Sequence, residues 1–333
     1  MKIFGGATAA FVLLSATSAI AQQAPAQTPP AEQPFQAGQP LGVTIDGTYT
    51  AMDERVKVYG AIVNAESCVY DETRDLILAI NRGVNQNQVA NDGFVSLINH
   101  DGSVHTSRWI GVNRNGLVLN QPFGSDIAGG MLYVADRDGG TSESDPSISV
   151  IRMFDMETGA PAGEVATPES TGFNDIEVAD DGTVYATQTG GGNPPDPTTF
   201  RVFRVTPEGE SSVIIEGAPL NRPNGIAIDG DGNLVVVNIG DAAVLTFSPD
   251  GELLKTEEAA QPGNDGLVIM EDGTKYVSSV LQGGVSRIPA DGSPAELIAT
   301  GIPSAASMCY DAGANQLVIP MNPNNALAFV QLD

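Results

Sequence analysis

A short sequence unit that recurs three times constrains the fold of this chain more than any other feature. The copies begin at Asn174, Asn224 and Asp265, and each carries an Asp-Gly pair seven residues later, followed by a short apolar strand such as 184–186 or 234–236. The copies begin 50 and 41 residues apart. A strand-built repeat of roughly this period is typical of a β-propeller, in which each repeat forms one blade. The residues that open the units then occupy equivalent positions in successive blades.

The rest of the chain supplies three further units with the same strand and turn signals. They open at Glu66, near 123–124 and near 305–306. The sequence therefore predicts an all-β fold, a six-bladed β-propeller. The chain ends one strand short of a complete last blade, whereas residues 55–59 read as a strand that belongs to no unit. We predict that this N-terminal strand completes the last blade and so closes the ring, because closure covers an exposed sheet edge.

The first 40 residues do not read as part of the fold. Residues 1–21 have a basic Lys2, an apolar stretch and small residues before an expected cleavage at Gln22, which is the pattern of a signal peptide. A membrane anchor is the weaker interpretation, because the stretch barely reaches spanning length. Residues 22–40 are rich in Pro, Gln and Ala and predict a flexible linker. We therefore expect a periplasmic or secreted protein without membrane insertion, whose propeller domain covers 41–333.

The charge and the cysteines limit the partners and the compartment. The chain has 15 Lys and Arg against 41 Asp and Glu, a net charge of −26, which disfavours nucleic acid and anionic membranes. We expect a monomer with a small-molecule substrate. The two cysteines, Cys68 and Cys309, have no zinc-finger spacing. They lie in the first and last units, which a closed ring makes neighbours, so a disulfide and two buried free thiols both stay open.

The residues that open four of the units carry the chemistry. The innermost strand of a propeller blade begins near the central channel, so Glu66, Asn174, Asn224 and Asp265 are expected to converge there. Two carboxylates and two carboxamides are hard oxygen ligands with a charge of −2, a set that suits Ca²⁺, with Mg²⁺, Mn²⁺ or Zn²⁺ as alternatives. For any single position, capping of the local backbone at a strand start explains the residue equally well. Four oxygen-bearing residues at the equivalent position of four units favour a metal site.

These four positions resemble the senescence marker protein and gluconolactonase (SGL) family, whose metal arrangement diisopropyl fluorophosphatase and the paraoxonases share. In that family the metal is bound by a Glu of the first blade, an Asn of an Asn-Asp-Gly motif, an Asn of a Pro-Asn-Gly motif and an Asp of an Asp-Gly motif. Glu66, Asn224 after Pro223, and Asp265 match this pattern. Asn174 also matches, although Ile176 stands where the motif has glycine.

The resemblance implies a calcium-dependent hydrolase of lactones or related esters. A cation would polarise the substrate, and Asp265 would act either as general base or as nucleophile. Family members that act on sugar lactones often carry an arginine where this chain has Gly172. Another lactone or ester-like substrate therefore fits this chain better than an aldonolactone. Asp175, Gln188 and Asn238 are further candidates for substrate contact, with capping of its own turn as the alternative for Asp175.

Two other readings compete with hydrolysis. A non-catalytic propeller could bind a small ligand or a protein partner, because the fold alone does not decide function. A metal-free propeller resembling strictosidine synthase is disfavoured by the intact ligand set. His100 and His105 are predicted to be solvent-facing β residues, so histidine catalysis is not expected.

Overall fold

The structure, a computed structural model, describes residues 61–84, 91–111, 117–140, 142 and 144–332, and the backbone of two short strands before them. Those strands, β1 (Gly42–Ile45) and β2 (Thr48–Ala51), pair antiparallel in a hairpin that belongs to a unit of its own. The predicted signal peptide, the linker and the closing strand at 55–59 lie outside the described residues. In the described part of the chain, no helix is long and apolar enough to cross a membrane.

Six antiparallel sheets form the blades of a six-bladed β-propeller, which confirms the predicted all-β fold. Blades 1 to 3 comprise β3 (Ala65–Asp71), β4 (Leu76–Asn81), β5 (Phe94–Ile98) and β6 (Val104–Gly111); β7 (Ser125–Ala128), β8 (Met131–Asp138), β9 (Ile148–Asp155) and β10 (Pro161–Thr167); and β11 (Ile176–Val178), β12 (Val184–Gln188), β13 (Arg201–Val205) and β14 (Ser211–Glu216). Blades 4 to 6 comprise β15 (Pro223–Ile228), β16 (Leu234–Asn238), β17 (Ala243–Phe247) and β18 (Leu253–Glu258); β19 (Asn264–Ile269), β20 (Lys275–Ser279), β21 (Val285–Ile288) and β22 (Glu296–Ala299); and β23 (Cys309–Asp311), β24 (Gln316–Met321) and β25 (Ala326–Gln331). The described loops contain two short 3₁₀ helices, Pro197–Thr199 and Asn322–Asn324.

The apolar residues of the second strands explain how the blades pack. Strands β4 and β16 are buried at every residue, because both faces of each blade lie against a neighbouring blade. The outermost strands β10 and β18 are mostly exposed. One apolar cluster fills each interface between successive blades, including the interface of blade 6 with blade 1. The core is therefore a ring of interfaces around a central channel.

A disulfide joins the first and last blades. Cys68 in β3 and Cys309 in β23 are bonded, which decides between the two alternatives that the sequence left open. The backbone N–H of Ser307 also donates to the carbonyl of Glu66, at 3.2 Å, across the same interface. The bridge spans 241 residues of sequence, and a loop of that size removes about 5 kcal/mol of chain entropy from the unfolded state in the loop-closure account.

The histidines differ from each other in a way that the sequence did not indicate. His105 is exposed, as predicted. The prediction for His100 is wrong, because its Nδ1 lies 2.8 Å from Asp311 of blade 6 and its Nε2 lies 3.1 Å from Asp75 of blade 1. The imidazole of His100 is half-buried in the interface between those blades, because its two nitrogens contact the carboxylates of Asp311 and Asp75.

The first residues of the inner strands pack closely against the next blade. This packing brings the residues that open the blades close to one another around the channel. A Cβ atom on Gly225 would lie 2.3 Å from the carbonyl oxygen of Asp265, and one on Gly266 would lie 2.4 Å from the backbone nitrogen of Met308. Glycine after the opening residue is therefore required for close approach between blades. The hydroxyl of Ser278 adds to this contact by donating to the carbonyl of Ala306, at 2.8 Å.

Candidate metal and active site

The structure places the four candidate ligands at the inner ends of blades 1, 3, 4 and 5. Glu66, Asn224 and Asp265 lie in the first strands of their blades and are buried. Asn174 lies two residues before β11 and is half-buried. The repeat that was visible in the sequence therefore corresponds to equivalent positions around the channel.

The closest contact in this set joins Asn224 to Asp265. The Nδ2 of Asn224 donates to the Oδ2 of Asp265, at 3.1 Å. Among the described residues, the amide oxygen Oδ1 of Asn224 and the other carboxylate oxygen, Oδ1 of Asp265, are buried and have no hydrogen-bond partner. A buried acceptor without a partner costs about 1–3 kcal/mol. Two such oxygens on adjacent blades have the chemistry of ligands for a hard cation.

Glu66, the candidate ligand from blade 1, has partners within the chain. Its Oε2 accepts a hydrogen bond from Nη1 of Arg82, at 3.0 Å, and another from Nδ2 of Asn322. Arg82 and Glu66 are both buried, so the ion pair fixes the carboxylate in the ring. A cation at this site would share Glu66 with Arg82.

The amide of Asn174 is oriented by Thr189 of its own blade, which is in turn hydrogen-bonded to blade 4. Its Nδ2 donates to Oγ1 of Thr189, at 3.0 Å, and that hydroxyl donates to the carbonyl of Pro223, at 2.8 Å. The hydrogen bond uses the amide nitrogen, so the oxygen is the atom that would serve as ligand.

The environment of Asp265 favours its protonated form. Burial raises the pKa of this carboxyl well above its usual range, and the negative charges of Glu66 and Asp175 raise it further. Arg82 and the hydrogen bond from Asn224 oppose the shift. A bound divalent cation would favour the ionised carboxylate, because an adjacent positive charge stabilises the anion.

Asp175 points toward the central channel. Its Oδ2 accepts from the backbone N–H of Ile226, at 3.3 Å, and from the hydroxyl of Ser307, at 3.4 Å, so it connects blade 3 with blades 4 and 6. Burial raises its pKa to about 7. Asp175, Asp126 and Glu177 line a channel cavity of about 280 Å³. Substrate contact by Asp175 stays a prediction.

Gln188 and Asn238 are buried, and their amide groups are used within the fold. The Oε1 of Gln188 accepts from the hydroxyl of Ser170, at 2.9 Å, and its Nε2 donates to the carbonyl of Thr199, at 2.8 Å. Asn238 accepts from the backbone of Asn221, at 3.1 Å, and donates to Asp241, at 3.2 Å. Their predicted contact with substrate stays a prediction, and these hydrogen bonds favour a structural role.

Sequence reasoning missed three side chains near the ring. Arg82 pairs with Glu66, and both amide atoms of Asn264 are buried without a partner among the described residues. Arg137 lies at the end of β8, close enough to Glu66 and Arg82 for their charges to affect its pKa. In blades 1 and 2, Arg82 and Arg137 lie at or beside the end of the second strand. Gln188 and Asn238 occupy that position in blades 3 and 4, so strand position was the signal that could have indicated the two arginines.

Cavity size does not identify the site. A cavity of about 1090 Å³ lies between blades 5 and 6, where Tyr276, Arg287 and Tyr310 line it. It contains none of the four candidate ligands. In the same described part of the chain, no group of three or more His, Cys, Asp or Glu side chains is placed to hold a metal ion. A metal centre in this ring therefore depends on the asparagine carboxamides.

Comparisons with known proteins define the class. Residues 65–320 match the family model described as SMP-30/gluconolactonase/LRE-like region, so the chain belongs to this family. The match supports a hydrolase of the lactonase type. A search of the curated proteins finds no match.

Solved structures agree on the fold. A gluconolactonase of Xanthomonas campestris is similar at 19% identity with a TM-score of 0.55, over 82% of this chain and 89% of that one. A protein of unknown function from Bacteroides thetaiotaomicron is similar at 14% identity with a TM-score of 0.57, over 86% of this chain and 80% of that one. At these identities the similarity establishes the propeller fold alone.

Proposed function

We propose that this protein is a divalent-cation-dependent hydrolase of lactones or related esters, with calcium as the favoured cation. The observation that carries the proposal is the pair of buried oxygens on Asn224 and Asp265 that have no hydrogen-bond partner within the described part of the chain. The carboxylate of Glu66 is close enough for its charge to raise the pKa of Asp265. Membership of the gluconolactonase family supports the reaction class.

The residues present fit a hard cation. Glu66, Asn174, Asn224 and Asp265 would hold it, since each has an oxygen ligand atom and the charge of the set is −2. A divalent cation in such a ring polarises the carbonyl oxygen of a substrate and stabilises the negative charge that develops on it.

The side chains around the site have different roles in the proposed reaction. Asn224 holds Oδ2 of Asp265 through the 3.1 Å hydrogen bond, which leaves Oδ1 to take a proton from water or to attack the substrate carbon directly. Arg82 holds Glu66 in place. Both roles of Asp265 are consistent with its burial, so kinetics must choose between them.

Calorimetry and hydrolysis assays test the proposal. We expect the wild type to bind Ca²⁺ and to hydrolyse members of a panel of lactones and aryl esters. Asp265→Asn should lower kcat/KM by about 100-fold or more, the scale of general acid–base catalysis. Asp250→Asn is the matched control, because Asp250 is an exposed carboxylate that pairs with Arg204. Absence of divalent-cation binding by the wild type would exclude the metal site.

A non-catalytic ligand-binding propeller is the second candidate. The ion pair between Glu66 and Arg82 favours it, because this pair satisfies one ring carboxylate without a metal. Cation binding without turnover of any panel member would support this candidate against the first.

We further propose that the protein is exported and that its signal peptide is removed. The disulfide between Cys68 and Cys309 supports an oxidising compartment. Fractionation of the expressing cells and N-terminal sequencing of the mature protein test this. A cytoplasmic protein that begins at Met1 would contradict it.

A further inference from the structure

Two arginines flank the aromatic residue that opens blade 2. Phe123 occupies the position that Glu66, Asn174, Asn224 and Asp265 occupy in their blades. The guanidinium carbon of Arg82 lies 3.9 Å from the centre of the Phe123 ring, and that of Arg137 lies 4.1 Å from it. At this position the ring therefore has two guanidinium groups, Arg82 of blade 1 and Arg137 of blade 2, instead of a ligand oxygen.

Arg137 lacks the carboxylate partner that a largely buried arginine normally has. Among the described residues, no carboxylate lies within ion-pair distance of it, its Nη1 makes a long hydrogen bond of 3.3 Å to Gln121, and its Nε has no partner. Arg152, on the neighbouring strand β9 of the same blade, instead contacts Asp136, Asp138 and Glu164. Burial lowers the pKa of Arg137 to about 10, so the guanidinium stays charged at neutral pH.

The guanidinium of Arg137 lies over the segment that leads to a candidate ligand. A Cβ atom on Gly172 would lie 2.5 Å from its Nε and 2.6 Å from its Cζ. Gly172 precedes Asn174 by two residues, so Arg137 from blade 2 fills the space that a side chain on blade 3 would otherwise take. The guanidinium of Arg137 can lie beside the candidate ligands only because residue 172 is a glycine and has no side chain.

We propose that Arg137, supported by Arg82, forms an anion-binding subsite, and that the substrate is a lactone or ester that carries a carboxylate. The proposal rests on the proposed hydrolase function. With a divalent cation in the ring, the charges of Glu66 and Asp265 offset the cation, and the guanidinium of Arg137, which has no carboxylate within ion-pair distance among the described residues, remains available for an anion. A guanidinium matches a carboxylate in geometry and can donate two parallel hydrogen bonds to it.

A pair of matched substrates tests the subsite. γ-Butyrolactone-γ-carboxylate and its methyl ester share the same lactone ring and differ in one negative charge. We expect the wild type to have a higher kcat/KM for opening the charged lactone ring. Arg137→Gln should lower that value about 10- to 100-fold, the scale of a lost hydrogen bond to a charged group, and should leave ring opening of the methyl ester nearly unchanged.

Two further variants keep the test decisive. Gly172→Ala retains the charge of Arg137 but displaces its guanidinium, because the added Cβ occupies the same space. This variant should therefore reduce the preference for the charged substrate. It replaces Arg137→Gln in the test if that variant does not fold. Arg204→Gln removes an exposed arginine on an outer strand and should leave the preference unchanged. An equal effect of Arg137→Gln on both substrates, or no preference in the wild type, would overturn the subsite.

A binding measurement separates this proposal from the hydrolase function. 2-Hydroxyglutarate is the product of water addition to the charged lactone, and its binding is measured by calorimetry with calcium present and with calcium removed. If the wild type hydrolyses nothing but binds 2-hydroxyglutarate, and Arg137→Gln weakens that binding at least 10-fold, the anion subsite stands and the hydrolase proposal fails. Equal binding to both proteins rejects the subsite whatever the activity.

Discussion

The interface between blades 1 and 6 and the centre of the ring differ in how their buried polar groups are paired. At the interface, the buried Gln316 donates to the carbonyl of His100 and to Asp311, both at 2.7 Å, and His100 connects Asp311 to Asp75. The disulfide lies in the same interface. These polar groups stabilise the closed ring.

In the centre, several buried polar atoms have no partner among the described residues. They include Oδ1 of Asn224, Oδ1 of Asp265, both amide atoms of Asn264 and Nε of Arg137. Unpaired buried polar groups are rare in folded proteins because they destabilise the structure. The contrast indicates that the interface is built for stability and the centre for a ligand, and four predictions test it.

Loss of the disulfide should have the largest effect on stability. Cys68→Ser/Cys309→Ser should lower the free energy of unfolding by about 2–5 kcal/mol, because the unfolded chain regains the entropy of a long loop. Urea denaturation measures this. Reductant should destabilise the wild type and leave the double variant unchanged. A variant as stable as the wild type would show that the interface closes without help from the bridge.

Calcium should stabilise the centre. At a free calcium concentration 100 times the Kd, a ligand that binds only the folded state adds about 2.7 kcal/mol. Thermal unfolding with calcium and with chelator measures the gain, and Asp265→Asn should abolish most of it. Gln316→Leu, which alters the interface, should retain it. A gain that survives Asp265→Asn would place the calcium elsewhere.

Removing one polar group from each region should change stability in opposite directions. Gln316→Leu should lower the free energy of unfolding by about 1–3 kcal/mol, because it leaves the carbonyl of His100 without a donor and removes one of the two donors to Oδ2 of Asp311. Asn264→Leu should raise it by about 1 kcal/mol in the calcium-free protein, because both amide atoms are already unpaired. Urea denaturation without calcium compares them. Destabilisation by both would remove the contrast.

The smallest effect should be a dependence of stability on pH at the interface. Hydrogen bonding to Asp311 raises the pKa of His100, and Asp75 adds to the shift. The contribution of His100 is therefore fully present below its unfolded pKa of about 6.5 and is lost as the pH rises through the folded pKa. Tyr70 also faces this group, through Asp75.

Stability curves from pH 5 to 9 test this sign. His100→Gln should flatten the loss of stability between pH 6 and 8. His105→Gln is the control, because His105 is exposed and should leave the curve unchanged. Stability that rises through this range only when His100 is present would contradict the assignment.

The amount that could be read from the sequence differed between the fold and the site. The opening residues recur in phase, so their convergence followed from the repeat alone. His100 was misassigned because its partner Asp311 lies 211 residues away and belongs to another blade. Arg82 and Arg137 were missed because no motif marks them.

The sequence by itself determined the propeller, its blade openings and the residue types that meet at the centre, because these depend on a periodic pattern of strands and turns. Only the tertiary structure decided which of the centre's polar atoms are paired. It showed that Arg82 engages Glu66, that Cys68 bonds Cys309, and that Gly172 makes room for Arg137. These contacts join different blades, and their distances depend on how the blades close into a ring.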